Sequence, residues 1–180
     1  MSKLPLLAAS AASAASAASA ALAACAVMFV ACSAGEEAPS PGTYTIQFPS
    51  TAAAVATDTV QLLLFDLPKT QAERTALCET LIQERKRKDL RKPALQNQSV
   101  NICEMSQGRR PITIPYGEKA VFAIAQRRGA DFMVGCSIQT FGQGDVPLPI
   151  SMALVDVGNA VPETTCSTVS DFCTLKCPAQ

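Results

Sequence analysis

The stretch "KAVFAIAQRRGADFMVGCSIQTF", residues 119–141, sets the architecture. Two apolar runs, 119–126 and 131–141, flank Arg127-Arg128-Gly129-Ala130. Runs of Val, Ile and Phe on either side of a short Gly-bearing segment predict an antiparallel hairpin. In the second run Phe132, Val134, Cys136 and Ile138 fall at every second position, which predicts one shared face.

Upstream, "TYTIQF" alternates Tyr44, Ile46 and Phe48 with polar residues, a half-buried strand. "TVQLLLFD" (59–66) places Val60, Leu62 and Leu64 on one face and Leu63 and Phe65 on the other. A strand apolar on both faces belongs in the middle of a sheet, and Pro68 ends it. Between this strand and the hairpin, "TQAERTALCETLIQERK" predicts one helix over about 70–87. Thr70 and Glu73 form a capping-box pattern, in which each side chain bonds the other's free backbone N–H. Leu77, Cys78, Leu81 and Ile82 share a face, and basic residues crowd the C-terminal end, where they offset the helix dipole.

"ITI" (112–114) predicts a further short strand before a turn at Tyr116-Gly117, and "PLPISMALVDV" (147–157) an alternating one. Six or seven strands with one inserted helix and no βαβ rhythm predict a mainly β domain. The expected fold is an antiparallel β-sandwich, stabilised by disulfides.

The N-terminus reads differently. No charged residue occurs from Leu4 to Gly35, and four copies of Ala-Ala-Ser fill residues 8–19. A basic start at Lys3, an apolar middle and small residues at its end form the pattern of an export signal. The segment is also long enough to span a bilayer, although Ala and Ser would anchor it weakly. "LAAC" (22–25) and "FVAC" (29–32) resemble the lipobox of bacterial lipoproteins. That resemblance implies a cysteine that becomes residue one after cleavage and carries acyl chains into the membrane. Cys25 has the better motif, with Leu at its first position. Cleavage there would strand "AVMFVA" at the mature N-terminus, whereas cleavage before Cys32 leaves the polar "SAGEEAPSPG" as a tether. The expected boundaries are a signal peptide over 1–31, a flexible tether over 32–42 and one domain over 43–180 ending in a Cys-rich tail.

Cysteine parity agrees. With Cys32 lipidated, six remain: Cys78, Cys103, Cys136, Cys166, Cys173 and Cys177. An even number in an exported chain predicts up to three disulfides, with 15 possible pairings. Cys78 on the helix and Cys136 on a strand both face the core and are candidates to meet. At least one tail cysteine must reach outside the tail if all are paired. The order of elements resembles small envelope lipoproteins of myxobacteria, and also transthyretin-like or Ig-like accessory domains. This resemblance implies a sandwich and carries no site residues.

The chain contains no His, which excludes Ser-His-Asp and Cys-His relays and histidine metal sites. No P-loop or dinucleotide fingerprint occurs, so neither cofactor nor metal is expected. The acids are scattered, and Glu104, Glu118 and Asp131 sit near predicted turns; a carboxylate-dependent hydrolase is the remaining enzymatic alternative. Residues 85–128 hold 11 basic and three acidic residues. Arg85, Lys86, Arg87, Lys88, Arg91 and Lys92 are the densest part. They are a candidate patch for lipid headgroups, lipopolysaccharide or acidic polysaccharide, or else a solvated helix end balanced by acids from the flanks. Nucleic acid is not an expected partner, because few aromatics are present to stack bases. The sequence therefore predicts a lipid-anchored, non-catalytic binding or interaction module of the cell envelope, partnered by the membrane and by an anionic component or a protein. The alternative is a purely structural envelope protein.

Overall fold

The computed structural model describes residues 42, 44–142 and 147–177. The expected signal peptide, nearly all of the tether, Cys25 and Cys32 lie outside the described residues. The element order is β1 (Tyr44–Gln47), α1 (Thr51–Val55), β2 (Thr59–Phe65), α2 (Gln71–Lys86), β3 (Leu95–Gln96), β4 (Val100–Asn101), α3 (Ile102–Ser106), β5 (Gly117–Arg127), β6 (Ala130–Phe141), β7 (Leu148–Ser151), β8 (Ala153–Leu154) and α4 (Val169–Cys173).

Mainly antiparallel strands organise the domain. A six-stranded sheet runs β3-β2-β5-β6-β8, with β4 also paired to β2, and all its pairs are antiparallel. The expected hairpin is its centre, and its turn is tight. Arg128 and Gly129 both have positive φ, 52° and 75°, as a two-residue type I′ connection demands. Arg128 is a non-glycine residue in this left-handed region, and the Asp58 carboxylate accepts its backbone N–H.

Both faces of the sheet are buried at its centre, along β2 and β5. Val60, Leu62 and Leu64 of β2 join Val121, Ala123 and Ala125 of β5 on one face. Leu63 and Phe65 join Ala120, Phe122 and Ile124 on the other. The register sets Leu62 opposite Ala123 and Leu63 opposite Phe122, and Phe65 meets Phe122 edge to face at 6.4 Å. Helix α2 covers the second face through Leu77 and Leu81. The first face is covered by Tyr44 of β1, by Ile112 and Ile114, and by Ile150 and Met152.

The two ends of α2 are built locally. The Thr70 hydroxyl accepts from the Glu73 N–H at 3.3 Å and donates to the Glu73 carboxylate at 2.6 Å. The capping box is thus realised through the side chains, with Glu73 turned to the hydroxyl instead of the Thr70 backbone. At the other end the Lys88 N–H bonds Arg85 C=O and the Asp89 N–H bonds Glu84 C=O, a Schellman ending with Lys88 at φ 63°. Helix α3 ends the same way on Gly108, and α4 on Leu175.

Four sequence expectations change. Three short helices, α1, α3 and α4, accompany the single helix expected over 70–87, and the described residues hold eight strands instead of six or seven. Residues 112–114 form one isolated bridge, Ile114 with Gly42, because the Tyr44 side chain occupies the next position and donates its hydroxyl to Ile112 C=O. The expected strand over 147–157 divides at Met152. Its first part, β7, pairs in parallel with β1; its second, β8, pairs antiparallel with β6. This corner passes directly over Gly135, where an added Cβ would lie 2.5 Å from Ser151 O and 2.8 Å from Met152 Sδ. Phe132 also leaves the face of Val134 and Cys136. A register shift at Ala125/Gln126 inserts it as an extra residue, so it joins Met133 on the β1 side.

The six cysteines of the domain form three disulfides. Cys78–Cys136 pins α2 to β6, Cys103–Cys173 joins α3 to α4, and Cys166–Cys177 closes the tail. The expected helix–strand contact is present, and Cys173 is the tail cysteine that reaches outside.

Candidate functional site

Five of the six candidate patch residues line two different hollows. Arg85, Lys86 and Lys88 line a groove of about 620 Å³ with Leu90, Gln126, Asp131 and Val155, beside the β5–β6 turn. Arg91 and Lys92 line a different hollow with Phe65, Asp66 and Leu77. Three of the six cations are matched by acids. Arg85 grips Asp131 with two hydrogen bonds of 2.6 and 2.8 Å, Arg91 grips Glu84, and Arg87 lies 3.4 Å from Asp89. The Arg85 guanidinium holds the Asp131 carboxyl below the usual carboxylate range, and Arg91 does the same to Glu84. Among the described residues, Lys86, Lys88 and Lys92 have no carboxylate within 4.0 Å.

The three acids near predicted turns are each bound to a cation: Glu104 to Arg109, Glu118 to Arg74, and Asp131 to Arg85. A cavity of about 640 Å³ is lined by another two carboxylates, Asp58 and Glu163, together with Arg127, Arg128 and Phe172 among others. Asp58 is already occupied with the hairpin turn, through the Arg128 N–H. Among the described residues no cluster of three or more Cys, Asp or Glu is placed to hold a metal ion, and no helix is long and apolar enough to cross a membrane.

A fourth hollow has a different chemistry. It is a cleft of about 350 Å³ between β1, α3 and the start of α4, lined by Ile46, Phe48, Ile102, Met105, Arg110 and Val169 among others. Its position follows from strand alternation. Thr45 and Gln47 face β7, as the Met152 N–H to Gln47 C=O bond of 2.9 Å confirms. Gly42, Tyr44 and Ile46 therefore direct their backbone groups to the opposite edge. Residues 110–114 cover that edge at Gly42, through Ile114 C=O, and at Tyr44, whose C=O accepts from the Arg110 guanidinium. The chain then turns off at Gly108, with φ 91°, so the edge at Ile46 faces the cleft.

The floor is made of partly buried Ile46, Phe48, Met105 and Val169, all packed on the core. At one end the Arg110 guanidinium lies 5.0 Å from the centre of the Tyr44 ring. Burial pushes the Tyr44 phenol up to about 12, against the Ile112 hydrogen bond and the Arg110 charge, so it stays neutral beside the cation at physiological pH. Arg109 is neutralised by Glu104 at 2.6 Å, whereas Arg110 has no carboxylate within 4.0 Å among the described residues.

Sequence reading found the β1 alternation and counted Arg109 and Arg110 in the basic segment, yet placed neither in a site. The missing piece was α3, whose signal is short. Asn101 caps it by accepting the Cys103 N–H at 2.8 Å, and Gly108 follows seven residues later as its C-terminal stop. Comparison with protein-family models, with curated proteins and with solved structures finds no match, so these geometric features carry the functional reading.

Proposed function

We propose that this chain is an exported, lipid-anchored envelope protein whose disulfide-stapled domain is a non-catalytic binding module, with the cleft beside β1 as its site. In this reading the six-stranded sheet and the β1–β7 pair are the two layers of a β-sandwich, facing each other across one buried cluster. Three disulfides fit a chain that folds in an oxidising compartment. The N-terminal "FVAC" supplies the anchor at Cys32, with Cys25 as the alternative.

The observation that carries the binding reading is the cleft. It is concave, floored by apolar side chains and marked by one unneutralised guanidinium, the composition of a ligand site at the lower end of the usual ~300–1,000 Å³ range. Native mass spectrometry of the protein gently extracted from its envelope tests it. The expected result is a non-covalent mass increment that disappears in Ser106→Trp, which fills the cleft from α3. An unliganded protein, or an increment that survives the filled cleft, refutes the assignment.

A second reading, contact with an anionic envelope component at the hairpin end, draws on Lys86 and Lys88 beside the 620 Å³ groove. Salt-dependent retention on an anionic surface, compared with Lys86→Gln/Lys88→Gln, tests it. Unchanged retention removes this reading.

A further inference from the structure

We infer that the cleft beside β1 takes a medium-chain acyl carboxylate, its head group on Arg110 and its chain along Ile46, Phe48, Met105 and Val169. The inference rests on the binding reading above and names its ligand class.

Charge selects the head group. A guanidinium carries five N–H donors in a fixed fork. One of them, on Nη1, is used by Tyr44 C=O. The fork is held in place by that bond and by the Tyr44 ring, and the neutral phenol beside it does not compete as an anion. A planar carboxylate is the partner this geometry fits, because the fork can grip both of its oxygens. The neighbouring Arg109 is already satisfied by Glu104 and is not needed.

Shape and polarity select the tail. Beyond Arg110 the lining is mainly aliphatic, aromatic or thioether, and Met105 adapts readily to a flexible chain. A cleft of about 350 Å³ suits a ligand of roughly a dozen heavy atoms. The two other large hollows fit less well: the hairpin groove has its arginine locked to Asp131, and the α4 cavity sets two carboxylates, Asp58 and Glu163, against its Arg127 and Arg128, so it offers an anion no net positive charge.

The test uses the full exported protein in lipid nanodiscs, with empty nanodiscs as the blank and carboxyl-labelled decanoate as the NMR probe. Decanoate is expected to give one saturable bound resonance. Decanol, with the same chain and no charge, should bind at least ~10-fold more weakly, the size of one charge-assisted hydrogen-bonded pair. Arg110→Gln should remove that preference and leave decanol unchanged. Arg110→Lys should restore part of it, and Arg109→Gln should have little effect. Failure of decanoate to saturate overturns the acyl assignment, and a native-mass increment in the same protein would then leave the cleft as a site for another ligand class. An Arg110→Gln protein that binds both probes less, with no rescue by lysine, overturns the carboxylate pairing.

Discussion

Removing Cys78–Cys136 should destabilise the domain more than removing Cys166–Cys177, and the difference can be worked from chain topology. The first bond closes a loop of 58 residues by sequence separation, the second a loop of 11. Cross-linking stabilises mainly by restricting the unfolded chain, with a term that grows as (3/2)RT ln n. The larger loop then contributes about 4.2 kcal/mol and the smaller about 2.7 kcal/mol. The constant cancels in the comparison, which leaves a gap of about 1.5 kcal/mol. Neither loop is short-circuited by the Cys103–Cys173 bond, whose path from 78 to 136 is no shorter than the direct one. The Cys78 bond also fastens α2 over Phe122 and Val134, so losing it loosens a packed face as well. Urea unfolding of Cys78→Ala/Cys136→Ala and of Cys166→Ala/Cys177→Ala measures both. The reasoning is refuted if the tail pair costs as much as the helix–sheet pair.

Other consequences are equally concrete. Asp131→Asn should cost about 1.5–3 kcal/mol at pH 7, since it breaks a two-pronged pair whose side chains are less than a third exposed. The folded-state carboxyl is held below its usual range, so this contribution is complete above about pH 4 and is lost as pH falls through the depressed value. The stability gap between variant and parent, followed by denaturant titration, should therefore be flat from pH 5 to 8 and close in stronger acid. Gly135→Ala should cost about 1–3 kcal/mol, because its Cβ would meet Ser151 O at 2.5 Å and must push the β7–β8 corner away. Lys88→Gly and Leu175→Gly should each raise stability by up to about 1 kcal/mol, because both positions are left-handed helix stops. A fall in thermal midpoint for both would contradict the Schellman assignment.

Much of the sheet was legible because its strands carry their own pattern. Residues 59–66 and 119–141 are apolar on both faces, and a strand buried on both faces belongs in the centre of a sheet. Helix α2 was legible for the same reason, through its cap and its apolar stripe. The rest depended on contacts between distant segments. Residues 148–154 read as one strand because the alternation continues through Met152, yet the chain changes sheets there, a switch that Gly135 permits from the neighbouring strand. Phe132 obeyed the alternation in sequence and broke it in space, since a bulge depends on the partner strand. Ile112–Ile114 has strand composition but meets the Tyr44 side chain instead of a ladder. For the site, charge density drew attention to residues 85–92, where folding supplies Asp131 and Glu84 as partners. Arg110 stood in a sparser stretch, and its lack of a carboxylate partner becomes visible only when β1, α3 and α4 come together.

Intact mass spectrometry of the exported protein, with a non-reducing peptide map, tests the central claim most directly. The account predicts a chain that begins at an acylated Cys32 and holds no free thiol, with bonds 78–136, 103–173 and 166–177. Free thiols, a different pairing, or a mass that retains residues 1–31 would contradict it.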